Sequence, residues 1–277
     1  MRPETVARGI ERFAVRTPTL PPATTTNSYA LGEGEVLLVE PATPYEDEQR
    51  AWLDWARGIA ALGRHIVGIF VTHHHPDHVG GAAFLSRALS LPLWGHEATA
   101  TLLPDLSFDR HLEDGEEIVL GARRWRCLLT PGHAPGHLCL HDPEAGILVV
   151  GDMVASEGTI LIAPGEGDLA VYLEQLERLA QLEGTLALPA HGAPIAEPSR
   201  LFRHYVAHRL AREAKVVTAL GAGGGDLDTL VARAYADTAA SLWPIAKLSL
   251  TSHLEKLARE GRATHRDGQW RALTRDG

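Results

Sequence analysis

Val71-Thr72-His73-His74-His75-Pro76-Asp77-His78-Val79-Gly80-Gly81 is the stretch on which the reading of this chain turns. It follows His65 to Thr72, HIVGIFVT, a continuous apolar and β-branched run that reads as a buried strand. A strand end is where a rigid sheet can aim side chains into a cleft. The H-x-H-x-D-H spacing behind such a strand is a metal-ligand pattern, since neutral imidazole is the commonest protein ligand for transition metals. The chain carries 15 histidines in 277 residues, so the positions of the rest matter. Three more ligand-type residues follow predicted strands: His133 in Thr130-Pro131-Gly132-His133, Asp152 after Ile147 to Val150 and Gly151, and His191 in Pro189-Ala190-His191-Gly192. His137 reads as a hydrogen-bonding neighbour of the site rather than a ligand. His74 should point away from its neighbours into an ordinary role. His96, His111, His141, His204, His208, His253 and His265 have no partner spacing and read as surface or core residues.

Outward from this motif the chain alternates short strands and helices. Tyr29 to Leu31 and Val36 to Val39 form a hairpin, and Glu46 to Leu62 is an amphipathic helix stopped by Gly63. Gly81 to Leu89 is a short helix and Leu91 to Trp94 a short strand. Glu117 to Leu120 pairs with Arg124 to Thr130, and Leu138 to His141 with Ile147 to Val150. Leu169 to Gln181 is a helix and Thr185 to Leu188 a strand. Mostly antiparallel hairpins with helices between them make an α+β pattern. From Pro198 the texture changes. Arg200 to Leu220 is a long helix, Asp226 or Asp228 caps a second, and Pro244 starts a third that ends at Gly261. A hairpin across Asp267-Gly268 follows. Three helices and a two-stranded wing make a winged helix, so the expected units are residues 1–197 and 198–277.

Composition bounds the class. Hydrophobic residues at 45% and charged residues at 22% describe an ordinary globular chain. No apolar run approaches the roughly 18 residues of a membrane span, and the N-terminus lacks a signal-peptide core. With only Cys127 and Cys139, both expected to be buried apolar residues, a reducing, cytoplasmic setting is expected. The net charge of −9 is uneven: residues 1–197 hold 27 acidic side chains against 13 basic, and residues 198–277 hold 13 basic against 8 acidic.

Taken together, Thr26-Asn27-Ser28-Tyr29, the His73–His78 motif, Thr130 to His133, Gly151-Asp152 and Pro189 to Gly192 resemble the metallo-β-lactamase superfamily. With the winged-helix tail the chain is most similar to the beta-lactamase-like protein 2 branch. The resemblance implies an αββα sandwich with a metal cleft along one edge of two sheets. It also implies that His73, His75 and His133 hold one metal, that Asp77, His78 and His191 hold a second, and that Asp152 bridges them. Two divalent ions, zinc for preference and manganese or iron otherwise, would generate a nucleophilic hydroxide that Asp77 orients. Glu40-Pro41 stands where many relatives carry Asp, an acid that supports a metal ligand from behind.

Family members include thioesterases, lactonases, β-lactamases and nucleases, so the substrate is argued separately. The first expectation is hydrolysis of an ester, thioester or related small acyl compound. The alternative is a single-stranded endoribonuclease, against which the acidic first 197 residues count. A non-catalytic winged-helix regulator is a third reading, opposed by the full ligand set. The third helix and wing are expected to expose Lys247, Lys256, Arg259, Arg262, Arg266 and Arg271. The N-terminal half of that helix lacks the Arg, Asn or Gln that read bases, so no sequence-specific DNA binding is expected. The tail should instead pack on the acidic unit of its own chain or of a homodimer partner, beside the cleft.

Overall fold

The computed structural model describes residues 2–273. Met1 and residues 274–277, at the ends of the two expected units, lie outside the described residues. Two sheets form the first part. One has seven strands in sequential order: β1 (Glu4–Ala7), β2 (Ile10–Arg16), β3 (Thr25–Leu31), β4 (Glu35–Val39), β5 (His65–Phe70), β6 (Leu93–Gly95) and β7 (Arg110–His111). The other has five, in order β12-β11-β10-β9-β8: β8 (Glu117–Leu120), β9 (Arg123–Leu129), β10 (Leu138–Asp142), β11 (Ile147–Gly151) and β12 (Leu186–Pro189).

Both faces of each sheet are covered, and the strand alternation shows it. In β4, Leu37 and Val39 join Phe70, Trp125, Leu140 and Val149 in a core between the sheets. Val36 and Leu38 of the same strand pack outward with Trp52 and Ile59 of α1 (Glu46–Ala61). In β11, Ile147 and Val149 face the shared core, while Leu148 and Val150 face Leu173 and Leu176 of α5 (Leu169–Ala180). The result is the αββα sandwich. Three short helices complete this part: α2 (Pro76–Val79), α3 (Ala82–Leu89) and α4 (Glu97–Thr101).

The pairing is less antiparallel than the hairpin pattern suggests. β4, β5, β6 and β7 run parallel, as do β11 and β12. The cause is α1, α3 and α5, which carry the chain back across a sheet so that the next strand starts at the same end. The first hairpin, β1 with β2, is absent from the sequence reading, although Ile10, Phe13 and Val15 of β2 are buried.

The C-terminal part is built on α6 (Pro198–Gly221), α7 (Leu227–Ala234), α8 (Trp243–Arg259) and the wing of β13 (Ala263–Arg266) and β14 (Gln269–Ala272). The helix α6 runs from one part to the other. Its Phe202 and Tyr205 belong to the outer core under α5, while Val216 and Leu220 join Leu230, Leu250 and Trp270 in a core of their own. One expectation fails here. Lys256 is buried rather than exposed, with Nζ 2.8 Å from Glu213 Oε2 and 2.6 Å from Glu260 Oε1. The helix α8 turns it inward onto an acid of α6 that the linear pattern does not reveal. Three more of the six expected cations are held in ion pairs: Lys247 with Asp228, Arg259 with Asp168, and Arg262 with Glu213 and Glu260. Among the described residues, no helix is long and apolar enough to cross a membrane.

Candidate metal centre

The strand β5 continues through Val71, whose backbone N–H donates to Trp94 O, and delivers His73 to the sheet edge with the ring fully buried. Pro76 then occupies the first turn of α2. This starts the helix at once, so Asp77 and His78 turn back toward the strand end. From the second sheet, β9 delivers His133, β11 delivers Asp152 and β12 delivers His191.

All seven ligand-type residues meet in one cleft floor. His73 Nε2 and His75 Nδ1 are 2.9 Å apart, and His133 Nε2 lies 3.2 Å from the first and 3.0 Å from the second. Beside this trio, His191 Nε2 is 3.5 Å from Asp77 Oδ2, and His78 Nε2 is 3.8 Å from Asp77 Oδ1. Asp152 lies between the groups. Its Oδ2 is 3.5 Å from His133 Nε2 and 3.7 Å from His78 Nε2, and its Oδ1 is 3.4 Å from His191 Nε2.

What fits these residues to metal ions is the far side of each ring. His73 Nδ1 is 2.9 Å from Thr72 Oγ1, whose hydroxyl in turn donates to Glu40 Oε1. His75 Nε2 is 2.7 Å from Glu166 Oε1, and His78 Nδ1 is 3.2 Å from Glu40 Oε1. His133 Nδ1 is 2.9 Å from Leu161 O, and His191 Nδ1 is 3.0 Å from Thr25 O. Four of the five imidazoles, His73, His75, His133 and His191, thus have a hydrogen-bond partner on the outer nitrogen and turn the inner nitrogen toward their neighbours, whereas His78 lies beside Glu40 without a hydrogen bond. Lone pairs gathered at about 3 Å repel unless a cation lies among them.

The electrostatics separate the two groups. Burial, reinforced by the neighbouring imidazoles, holds His73 well below the usual histidine range. Burial also brings His133 down to about 4, against the pull of Asp152. His78 is buried too, yet Asp77, Asp152 and Glu40 outweigh that and raise it well above its ordinary value. Burial would raise Asp152, but His191 and His78 hold it well below the carboxylate range. In the first trio, burial thus favours the neutral form of His73 and His133. The second concentrates negative charge that invites a cation.

Both ring nitrogens of His137 are engaged in hydrogen bonds. Its Nδ1 is 2.8 Å from Thr130 Oγ1, and its Nε2 accepts from the Asp152 backbone N–H at 3.1 Å. His74 does not point away from its neighbours as expected: its largely covered ring packs 4.8 Å from the His75 ring, and its Nε2 is 3.2 Å from Glu166 Oε1, the acid that also reaches His75. Sequence reasoning missed Glu166, Leu161 O and Thr25 O. The latter two are backbone atoms, which any residue would supply. Glu166 is 91 positions from His75 and carries no motif.

The wall over this floor comes from Pro18 to Ala23 on one side and Glu157 to Leu161 on the other. Among the described residues lining the cleft there is no lysine or arginine.

Residues 21–191, which contain all seven ligand-type side chains, match the family model described as the metallo-beta-lactamase superfamily. The chain belongs to that superfamily. As a metallo-beta-lactamase-fold protein it is an enzyme of a family of metal-dependent hydrolases. Residues 227–270 match the beta-lactamase associated winged helix domain. The beta-lactamase-like protein 2 homolog of Drosophila melanogaster is 29% identical over 250 residues, which is 86% of this chain and 83% of that one. An atrochrysone carboxyl ACP thioesterase of Aspergillus fumigatus is 30% identical over 70% of this chain and 59% of its own length. Among solved structures, a metallo-beta-lactamase family protein from Thermus thermophilus matches with a TM-score of 0.80 at 25% identity, over 97% of this chain and 100% of that one.

Proposed function

We propose that this enzyme hydrolyses esters, thioesters or related acyl compounds at two divalent ions, zinc for preference. His73, His75 and His133 would hold one ion, and Asp77, His78 and His191 the other, with Asp152 between them. The carrying observation is the set of five clustered imidazoles, four of which have the outer nitrogen on a hydrogen-bond partner and the inner nitrogen in the cluster, with His78 held beside Glu40, Asp77 and Asp152. An all-nitrogen trio suits zinc, and two carboxylates in the second group leave manganese or iron as alternatives. Ions bound there lower the pKa of a water toward 7 and polarise the substrate oxygen.

The chain's own residues do the rest. Asp77 stands between His78 and His191 on the cleft floor and accepts a hydrogen bond from the attacking water, turning the water's lone pair toward the substrate. Leu20, Ile160 and Leu161 give an apolar wall for the acyl group and thin the water around it. Among its described lining residues the cleft brings no lysine or arginine to a phosphodiester backbone, and in the tail Lys247, Lys256, Arg259 and Arg262 are held in ion pairs. Acyl hydrolysis is therefore favoured over RNA cleavage. The relative named as an acyl carrier protein thioesterase supports the same chemistry.

The test is a turnover screen of the zinc-loaded protein against neutral thioesters, esters, lactones and single-stranded RNA. Acyl turnover that Asp77→Ala removes is the expected result. Metal-dependent cleavage of RNA without any acyl turnover would replace this reading with the ribonuclease.

A further inference from the structure

The turn that carries Glu166 is fastened from outside the sandwich. Pro164 fixes its own φ, Gly165 takes a φ of +81°, and Gly167 N–H donates to Ala163 O at 2.8 Å. The chain folds back, and Glu166 Oε1 reaches His75 Nε2 at 2.7 Å and His74 Nε2 at 3.2 Å. The other nitrogen of His75, Nδ1, is the one that faces His73 and His133. A carboxylate on Nε2–H fixes the tautomer with its lone pair at Nδ1 and stops the ring from turning. The same loop supplies Leu161 O to His133 Nδ1 at 2.9 Å. One loop, Ile160 to Asp168, thus orients two of the three rings in the first trio.

Three side chains of the C-terminal part hold that loop. Arg209 of α6 donates to Ile160 O from a buried position over Tyr172. Ser252 of α8 donates to Ile162 O at 2.6 Å. Arg259 at the end of α8 donates to Asp168 Oδ1 at 2.8 Å. Along the loop the fastenings alternate with the ring contacts: Ile160 held, Leu161 on His133, Ile162 held, Glu166 on His75, Asp168 held.

We propose that Glu166 is a positioning residue for His75, and that the C-terminal part sets the geometry of the first trio by holding the loop that bears Glu166 and the Leu161 carbonyl. This rests on the metal-centre reading above. On this account the winged helix serves the site through α6 and α8, so its removal or loosening is felt at the imidazoles and not only at the domain contact.

The experiment is cobalt(II) titration of the metal-free full chain, read by visible absorption and by competition with a chelator. A parent that binds no cobalt would overturn the metal-centre reading itself. With a parent that binds, Glu166→Ala should weaken one of the cobalt equivalents about 10- to 100-fold and change its absorption bands. Glu166→Gln, which keeps an acceptor for the His75 N–H, should recover most of that affinity. Arg259→Ala and Ser252→Ala should weaken the same equivalent by several-fold, while Lys247→Ala, at the other end of α8, should leave it unchanged. Melting temperatures of the metal-free variants separate site effects from folding. Arg259 is half exposed, so its removal leaves the cores intact. Unchanged affinity and spectrum in Glu166→Ala would overturn the role of Glu166. Loss in Glu166→Ala with no change in Arg259→Ala or Ser252→Ala would overturn the role of the C-terminal part.

Discussion

Gly151 shows how tightly the site is drawn at the scale of a single residue. Its φ is +45°, and a Cβ placed there would come 2.5 Å from His137 Nε2, the atom that receives the Asp152 backbone N–H. Gly151→Ala must strain the backbone and displace His137 together. We expect it to cost about 2–3 kcal/mol, read by urea unfolding of the metal-free protein, and to disturb Asp152 with it. Glu40 is the opposite case, a non-glycine residue held at φ +58°. Its backbone N–H donates to Phe70 O at 2.9 Å, and its carbonyl accepts from Ser28 Oγ. The extra methylene relative to Asp lets one carboxylate serve both Thr72 and His78. At this scale the sequence was highly legible. Seven chemically marked side chains sat behind strands, and sheet geometry gathers such residues. What it hid were acceptors with no side-chain identity, and Glu166, whose role depends on a turn.

Among elements, the segment from Pro18 to Ala23 between β2 and β3 lines the mouth of the cleft. Its ends are tied by Thr17 Oγ1 and Thr26 Oγ1 at 2.8 Å and by Thr17 N–H donating to Thr24 O at 3.4 Å. Leu20, 52% exposed, lines the cleft mouth. An exposed leucine there gains by covering an apolar acyl chain. Leu20→Ser should raise KM for long acyl chains about ten-fold, with kcat and short-chain substrates little changed, as a chain-length series would show. Helices and turns were legible where periodicity and caps were strong, as with Asp226, which accepts from Thr229 N at 2.8 Å at the start of α7. Parallel pairing was not, because strand direction is decided by where a helix returns the chain, and periodicity carries no direction.

For the whole molecule, opposite charge joins the two parts at Arg259 and Asp168, while a second cluster around Glu213 lies wholly within the C-terminal part. Glu213 is buried; the protonated Lys256 and Arg262, with His253 beside it, overcome that burial and bring its carboxyl from 4.5 down to about 2. A depressed folded-state value means the stabilisation is complete above about 4.5 and is lost as pH falls toward about 2. Glu213→Gln should therefore melt below the parent at neutral pH, with the gap narrowing through that window, as paired melting curves would show.

The two ligand groups divide between the sheets in the same way. Two members of each come from the end of β5 and the turn after it, and the third comes from the second sheet: His133 for one group, His191 for the other. Neither sheet owns a complete set. The chemistry exists only along the seam where both halves have closed. On the proposed ligand set, metal binding would therefore also report that the sandwich is shut.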